Sequence, residues 1–197
     1  MQPQRFELAT LAAVPWKNGG GSTREIVCRP AGAGIEAFDW RVSIATIDAP
    51  GPFSAFDGID RVIVLLDGAG VRLHAPGSGI DHRLDVPLAP FAFAGEAALA
   101  CELLGGASTD FNLMTRRARC RAEVRVLSGA TALRFGDAGL LFAVRGHWRV
   151  AGDQRLAPGC GLWWDGATCG GQVEPGAPDS AMIAVRIETV TNLHVNA

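Results

Sequence analysis

The chain has no tyrosine, no Cys-x-x-Cys pair, no His-x-His pair and no long apolar run free of proline and charge. Each absence excludes a class of protein. The cysteines, Cys28, Cys101, Cys120, Cys160 and Cys169, are odd in number and widely spaced. That argues against a disulfide framework and against a zinc ribbon, and the thiols read as small buried hydrophobes. A catalytic thiol would need a neighbouring base, and the sequence places none beside any of them. The longest apolar region, 86–104, is interrupted by Pro87, Pro90, Gly95, Glu96 and Glu102, so no transmembrane helix is expected. The first residues do not read as a signal peptide, because Glu7 stands where a basic segment should lead into an apolar one. A cytoplasmic protein is the expectation. With 18 Lys and Arg against 20 Asp and Glu, no basic excess draws the chain to nucleic acid or to an anionic membrane.

Metal ligands are scarce as well. The four histidines, His74, His82, His147 and His194, are scattered. Leu73, Ala75 and Pro76 occupy the positions around His74 where further ligands would stand. An open metal site needs donors converging on one face, so neither metal nor other cofactor is expected.

What the chain does have is short apolar runs between turn residues. Glycine occurs 25 times and proline 11 times, and between them lie the runs 61–66, 101–104, 140–144 and 182–187. Branched runs with this punctuation read as strands of a sandwich or barrel, and no stretch keeps a 3.6-residue period over three turns. The segment 108–113 permits a short helical turn without requiring one. A strand, a glycine turn, an alternating strand, a second turn and another apolar strand occur at 62–96 and again at 141–166, closed by runs 98–104 and 181–187. A repeated meander predicts an all-β fold of two small barrels in tandem, residues 1–115 and 116–197, fused into one compact unit. The competing arrangement is a single irregular β-sandwich.

An ordered series of motifs narrows this further. Pro15-Trp16-Lys17-Asn18-Gly19-Gly20-Gly21 leads into Thr23-Arg24-Glu25, and then come Trp40-Arg41-Val42-Ser43-Ile44-Ala45 and Gly51-Pro52-Phe53-Ser54-Ala55-Phe56. Gly58-Ile59-Asp60-Arg61, Phe93-Ala94-Gly95-Glu96 and Asp110-Phe111-Asn112-Leu113-Met114 follow. Together they resemble the HutD/Ves family of bicupin proteins over nearly the whole chain, the second half mainly through its cupin patterning. The resemblance implies a double-stranded β-helix (cupin) fold in tandem. It also implies an association with histidine utilisation through binding of an intermediate such as urocanate or N-formylglutamate, or, for Ves members, a link to stress responses. Cupins often pair through strand edges, so a homodimer is compatible with it.

The candidate ligand-binding residues lie in the first half. Lys17, Arg24, Arg41 and Arg61 are cations in or beside apolar segments. Alternation along 38–44 puts Trp40, Val42 and Ile44 on one face and Arg41 and Ser43 on the other. If the second face points into a barrel, it offers a guanidinium and a hydroxyl to a small carboxylate; if it points outward, it is merely solvated. Around Lys17 and Asn18 the three glycines either bring backbone amides to a ligand or form a plain turn. Phe53 and Phe56 flank Ser54 and could line a pocket mouth. Glu96 stands among aromatic residues and should face a cation such as Arg61, or the ligand. Asp110 and Asn112 alternate around Phe111 and either face the ligand or merely pair with nearby strand ends or Arg116. These residues suit a metal-free binding protein for a small carboxylate. Two other readings stay open: an isomerase or hydrolase using Glu96 or Asp110 as base, and a structural or interaction module.

Overall fold

The computed structural model describes residues 2–134, 136–150, 153–166 and 170–190, so Cys169 and His194 lie outside the described residues. The first half forms β1 (Gln4–Glu7), β2 (Ala13–Pro15), β3 (Gly21–Arg29), β4 (Trp40–Ile47), β5 (Gly51–Pro52), β6 (Ile59–Asp67), β7 (Val71–Ala75), β8 (Ile80–Leu84), β9 (Pro90–Ala94), β10 (Ala100–Leu103) and β11 (Ser108–Arg116). The second forms β12 (Cys120–Leu127), β13 (Thr131–Arg134), β14 (Ala138–Arg145), β15 (Trp148–Val150), β16 (Gln154–Leu156), β17 (Cys160–Asp165), β18 (Gly170–Pro175) and β19 (Ala181–Thr189). The 3-10 turns that lie wholly within the described residues are Leu8–Thr10 and Pro76–Ser78. Among the described residues no helix is long and apolar enough to cross a membrane.

The strand orders show the duplication directly. In the first half β4-β11-β6-β9 form the body of a sheet that β3 and β2 extend, and β5-β10-β7-β8 form its partner. In the second half β12-β19-β14-β17 and β13-β18-β15-β16 repeat those orders strand for strand. Each half is thus a cupin-like barrel of two antiparallel sheets around its own core. Ile63, Leu65, Val71, Leu73 and Leu99 lie at the centre of the first core, and Leu141, Trp148, Leu156, Trp164 and Met182 at the centre of the second.

Two readings of the sequence need correction. The segment 108–113 is no helical turn but part of the central strand β11, paired with β4 on one side and β6 on the other. Its polar and apolar residues alternate, which suits a strand whose two faces meet different surroundings. In addition, the run 98–104 does not correspond to 181–187. By strand order β10 matches β18, and β19 matches β11.

The halves join through a third apolar cluster. The outer faces of the two large sheets meet, and Val42, Ile44, Phe111 and Leu113 pack with Leu140, Phe142, Ile183 and Val185. Strand β1 crosses to the second half and pairs with β17. It brings Phe6 against Phe142, with ring centroids 5.8 Å apart, and Phe142 in turn stacks on Phe111 at 6.4 Å.

Candidate functional site

The packing of the seam decides which way the central strands point. Val42, Ile44, Phe111 and Leu113 enter it, so their alternating neighbours on β4 and β11 face into the first barrel. Strand register then sets those neighbours in rows. Arg41, Met114 and Arg61 lie side by side across β4, β11 and β6; Ser43, Asn112 and Ile63 form the next row; Ala45, Asp110 and Leu65 the third. Above this floor is a cavity of about 510 Å³. Trp16, Lys17 and Asn18 from the β2–β3 turn, Ile35 from the β3–β4 connection, and Phe53, Ser54 and Phe56 from the loop after β5 complete its walls.

The floor carries two guanidiniums and a carboxyl. Arg61 is 7% exposed, and its Nε and Nη2 donate to Asn112 Oδ1 at 3.4 and 3.2 Å. Its guanidinium carbon lies 5.3, 5.8 and 5.1 Å from the ring centroids of Phe53, Phe56 and Phe93, a cage that replaces water with aromatic faces. Burial lowers its pKa to about 10 while Asp110 opposes the shift, so the group remains a cation at neutral pH. Arg41 donates from Nε to Glu25 Oε2 at 2.7 Å and from Nη1 to Ser43 Oγ at 3.4 Å. Asp110 is 4% exposed, and burial pushes its carboxyl up to about 7 against the pull of Arg61. Among the described residues no group donates a hydrogen bond to it.

The glycine turn takes its own amides. Gly19 N–H donates to Trp16 O, and Gly20 N–H donates to Asn18 Oδ1, both at 3.0 Å. Neither amide is left for a ligand. Gly21 is required for packing: a Cβ there would sit 2.2 Å from Thr46 O and 3.1 Å from the Trp16 ring. The ring is held by its indole N–H, which donates to Thr23 Oγ1 at 2.8 Å. The turn therefore positions Trp16 as a wall and leaves Lys17 and Asn18 at the rim.

Of the residues singled out from the sequence, Lys17, Asn18, Arg41, Ser43, Phe53, Ser54, Phe56, Arg61, Asp110 and Asn112 line this cavity. Two do not. Arg24 stands opposite Ile44 in the β3–β4 register, on the face away from the cavity. Glu96 does not face Arg61. Its carboxylate accepts from Arg117 Nη1 and Nη2 at 2.9 and 3.2 Å and from Gly58 N–H at 3.0 Å. These bonds, chiefly those from Arg117, hold its pKa down to about 2, and it ties a surface loop in place. Trp16, Thr23, Ala45 and Met114 also line the cavity. Ala45 and Met114 were reachable by extending the alternation from Ser43 and Asn112; Trp16 and Thr23 carried no such signal.

The histidines serve other roles. His74 Nε2 lies 3.2 Å from Glu102, and His82 stacks on Phe91 with ring centroids 3.7 Å apart. Among the described residues no three His, Cys, Asp or Glu side chains converge. Burial pushes the Cys101 thiol up to about 12 and Cys120 up to about 11, so both stay protonated at neutral pH.

The HutD profile matches residues 8–180. The chain belongs to the HutD family. It is 41% identical to Protein Ves of Cronobacter sakazakii over 81% of its own length and 85% of that protein's. It is 43% identical to a 21.2 kDa protein in the hutC 3' region of Pseudomonas putida, over 76% of its own length and 78% of that protein's. The structure of HutD from Pseudomonas fluorescens SBW25 (formate condition) superposes with a TM-score of 0.84 at 33% identity, covering 96% of this chain and all of that one. At 9% identity, an oxalate decarboxylase from Lactobacillus farciminis shares the fold alone, with a TM-score of 0.61 over 95% of this chain and 86% of that one.

Within this HutD chain the barrels differ in what fills them. Where β11 points Asp110 and Asn112 inward, β19 points Met182 and Ala184 inward, and Trp148 and Trp164, each 1% exposed, plug the second barrel. The polar interior belongs to the first barrel.

Proposed function

We propose that this HutD-family protein binds a small carboxylate metabolite in its first barrel and acts on histidine utilisation by occupancy, without turnover. The observation that carries this reading is the pair of guanidiniums at the cavity floor, Arg41 and Arg61. Part of each guanidinium is held by Glu25 and Ser43, or by Asn112. The remaining N–H groups are available to a carboxylate, which takes two parallel hydrogen bonds from such a fork. The Pseudomonas putida relative from the hutC 3' region supports the pathway, and urocanate and N-formylglutamate are the compounds to test first. Phe53, Phe56 and Trp16 would cover a flat or short carbon skeleton.

Calorimetry on two variants tests the assignment. Arg41→Ala is expected to weaken binding by about 2–5 kcal/mol, taking a micromolar ligand out of range. The fold should survive, because the Glu25 side chain left behind is 50% exposed. Arg149→Ala, at an exposed Glu174 pair on the second barrel, should bind as the parent does. Equal binding by both variants would remove the site from the first barrel.

The proposed site works without a metal, since its lining holds no histidine or cysteine. Elemental analysis of purified protein should find no stoichiometric iron, manganese or zinc. A stoichiometric metal that is lost on His74→Ala would overturn that part.

A second reading has one observation in its favour. Asp110, with its pKa near 7, is suited to general-base work at neutral pH. Multiple turnovers of either compound, followed by absorbance and mass spectrometry, would make the protein an enzyme.

A further inference from the structure

The cavity has many donors and very few open acceptors. Asn18 Oδ1 accepts from Gly20, Thr23 Oγ1 from Trp16, Ser43 Oγ from Arg41, and Asn112 Oδ1 from Arg61. Ser54 is exposed at the rim. Deep in the site, the side-chain acceptor with no donor among the described residues is the Asp110 carboxyl, 4% exposed. Burial of an unpaired carboxyl is costly, and such groups normally have a partner. Arg61 does not serve as one: its Nε and Nη2 are directed to Asn112.

We infer that Asp110 is the specificity-determining residue of this site, selecting acids that also carry an N–H donor over acids that do not. The inference rests on the small-carboxylate reading and sharpens it. The ligand's carboxylate meets Arg41 and Arg61, and its N–H, from a heteroaromatic ring or an amide, reaches back to Asp110. Asp110 and Asn112 are two residues apart on β11, roughly 6–7 Å, and the arginine row lies two residues beyond Asn112. A carboxylate and a donor separated by a few bonds therefore match the floor. A plain acid would satisfy the arginines but leave Asp110 unpaired beside its own negative charge.

Matched probes test this by calorimetry at pH 8. One pair is urocanate and its oxazole analogue, in which ring oxygen replaces N–H and the other ring nitrogen is kept; the other is N-formylglutamate and glutarate. In at least one pair, the member with the N–H should bind the parent protein about tenfold to a hundredfold more tightly, the effect of one hydrogen bond to a charged group. In Asp110→Ala that ratio should collapse to within about threefold, with plain-acid affinity kept or improved. Asp110→Asn keeps the shape, should also reduce the ratio, and serves if the alanine variant folds poorly. Acid binding with no preference in the parent protein, or a preference that survives both substitutions, would overturn the role of Asp110 alone. Failure of every probe to bind a folded sample would remove the carboxylate reading and this inference with it.

Discussion

Replacing Phe111 by Ala is expected to destabilise the whole chain by about 3–5 kcal/mol and still give one melting transition. Phe111 is fully buried at the centre of the seam between the barrels and stacks on Phe142, which in turn stacks on Phe6 of β1. Removing the ring leaves a void bounded by strands of both halves, and neither sheet can close on it without losing its own register. The seam draws on both halves almost equally, with Val42, Ile44 and Leu113 facing Leu140, Ile183 and Val185. A loss there should therefore lower the stability of both barrels together. Denaturant unfolding followed by tryptophan fluorescence checks this, because Trp40 lies in the seam and Trp148 and Trp164 inside the second barrel. Two separated transitions, with Phe111→Ala moving only the first, would show that the barrels fold independently.

Asp110→Asn should stabilise the unliganded protein at pH 8 by up to about 4 kcal/mol and change it little at pH 4. Burial raises the Asp110 pKa from 3.8 to about 7, because desolvation outweighs the attraction of Arg61. The native state therefore holds a proton that the unfolded chain has already released. Between about pH 4 and pH 7 the native state binds more protons than the unfolded one, so this group's contribution falls as pH rises, then levels off. Arg61 on β6 is the cation that acts on it, Arg41 on β4 and Lys17 of the β2–β3 turn line the same cavity, and Cys101 on β10, with its raised pKa, stays neutral throughout. Asparagine mimics the protonated form and should flatten that slope. Denaturant unfolding of both proteins from pH 4 to pH 8 reads the difference directly. A difference that does not grow with pH would mean that Asp110 is paired or hydrated in the folded protein. The same variant should bind donor-bearing acids less well, a gain in stability at the expense of function.

The sequence by itself determined most of the strands, the duplication and the shared face of Arg41 and Ser43, but not the central strand β11, whose residues 108–113 also permitted a helical turn. Period two along a strand is local, so Arg41 and Ser43 had to share one face and Trp40, Val42 and Ile44 the other, whatever the rest of the chain did. The apolar runs and glycine turns repeat in order, and cores built from them close into two barrels. Which face looked inward was a different matter. It follows from the second barrel packing against Val42, Ile44 and Phe111, a contact between segments far apart in the chain. Only the tertiary structure placed Arg24 opposite Ile44 and away from the cavity, because strand register is set by pairing and not by composition. It also gave Glu96 to Arg117 instead of Arg61. Both cations were available in the sequence, and only the β11–β12 turn brought one within reach. The state of Asp110 was decided there too. A carboxylate's charge depends on how much water and how many donors surround it, and those were assembled from β4, β6, β10 and β11 at once.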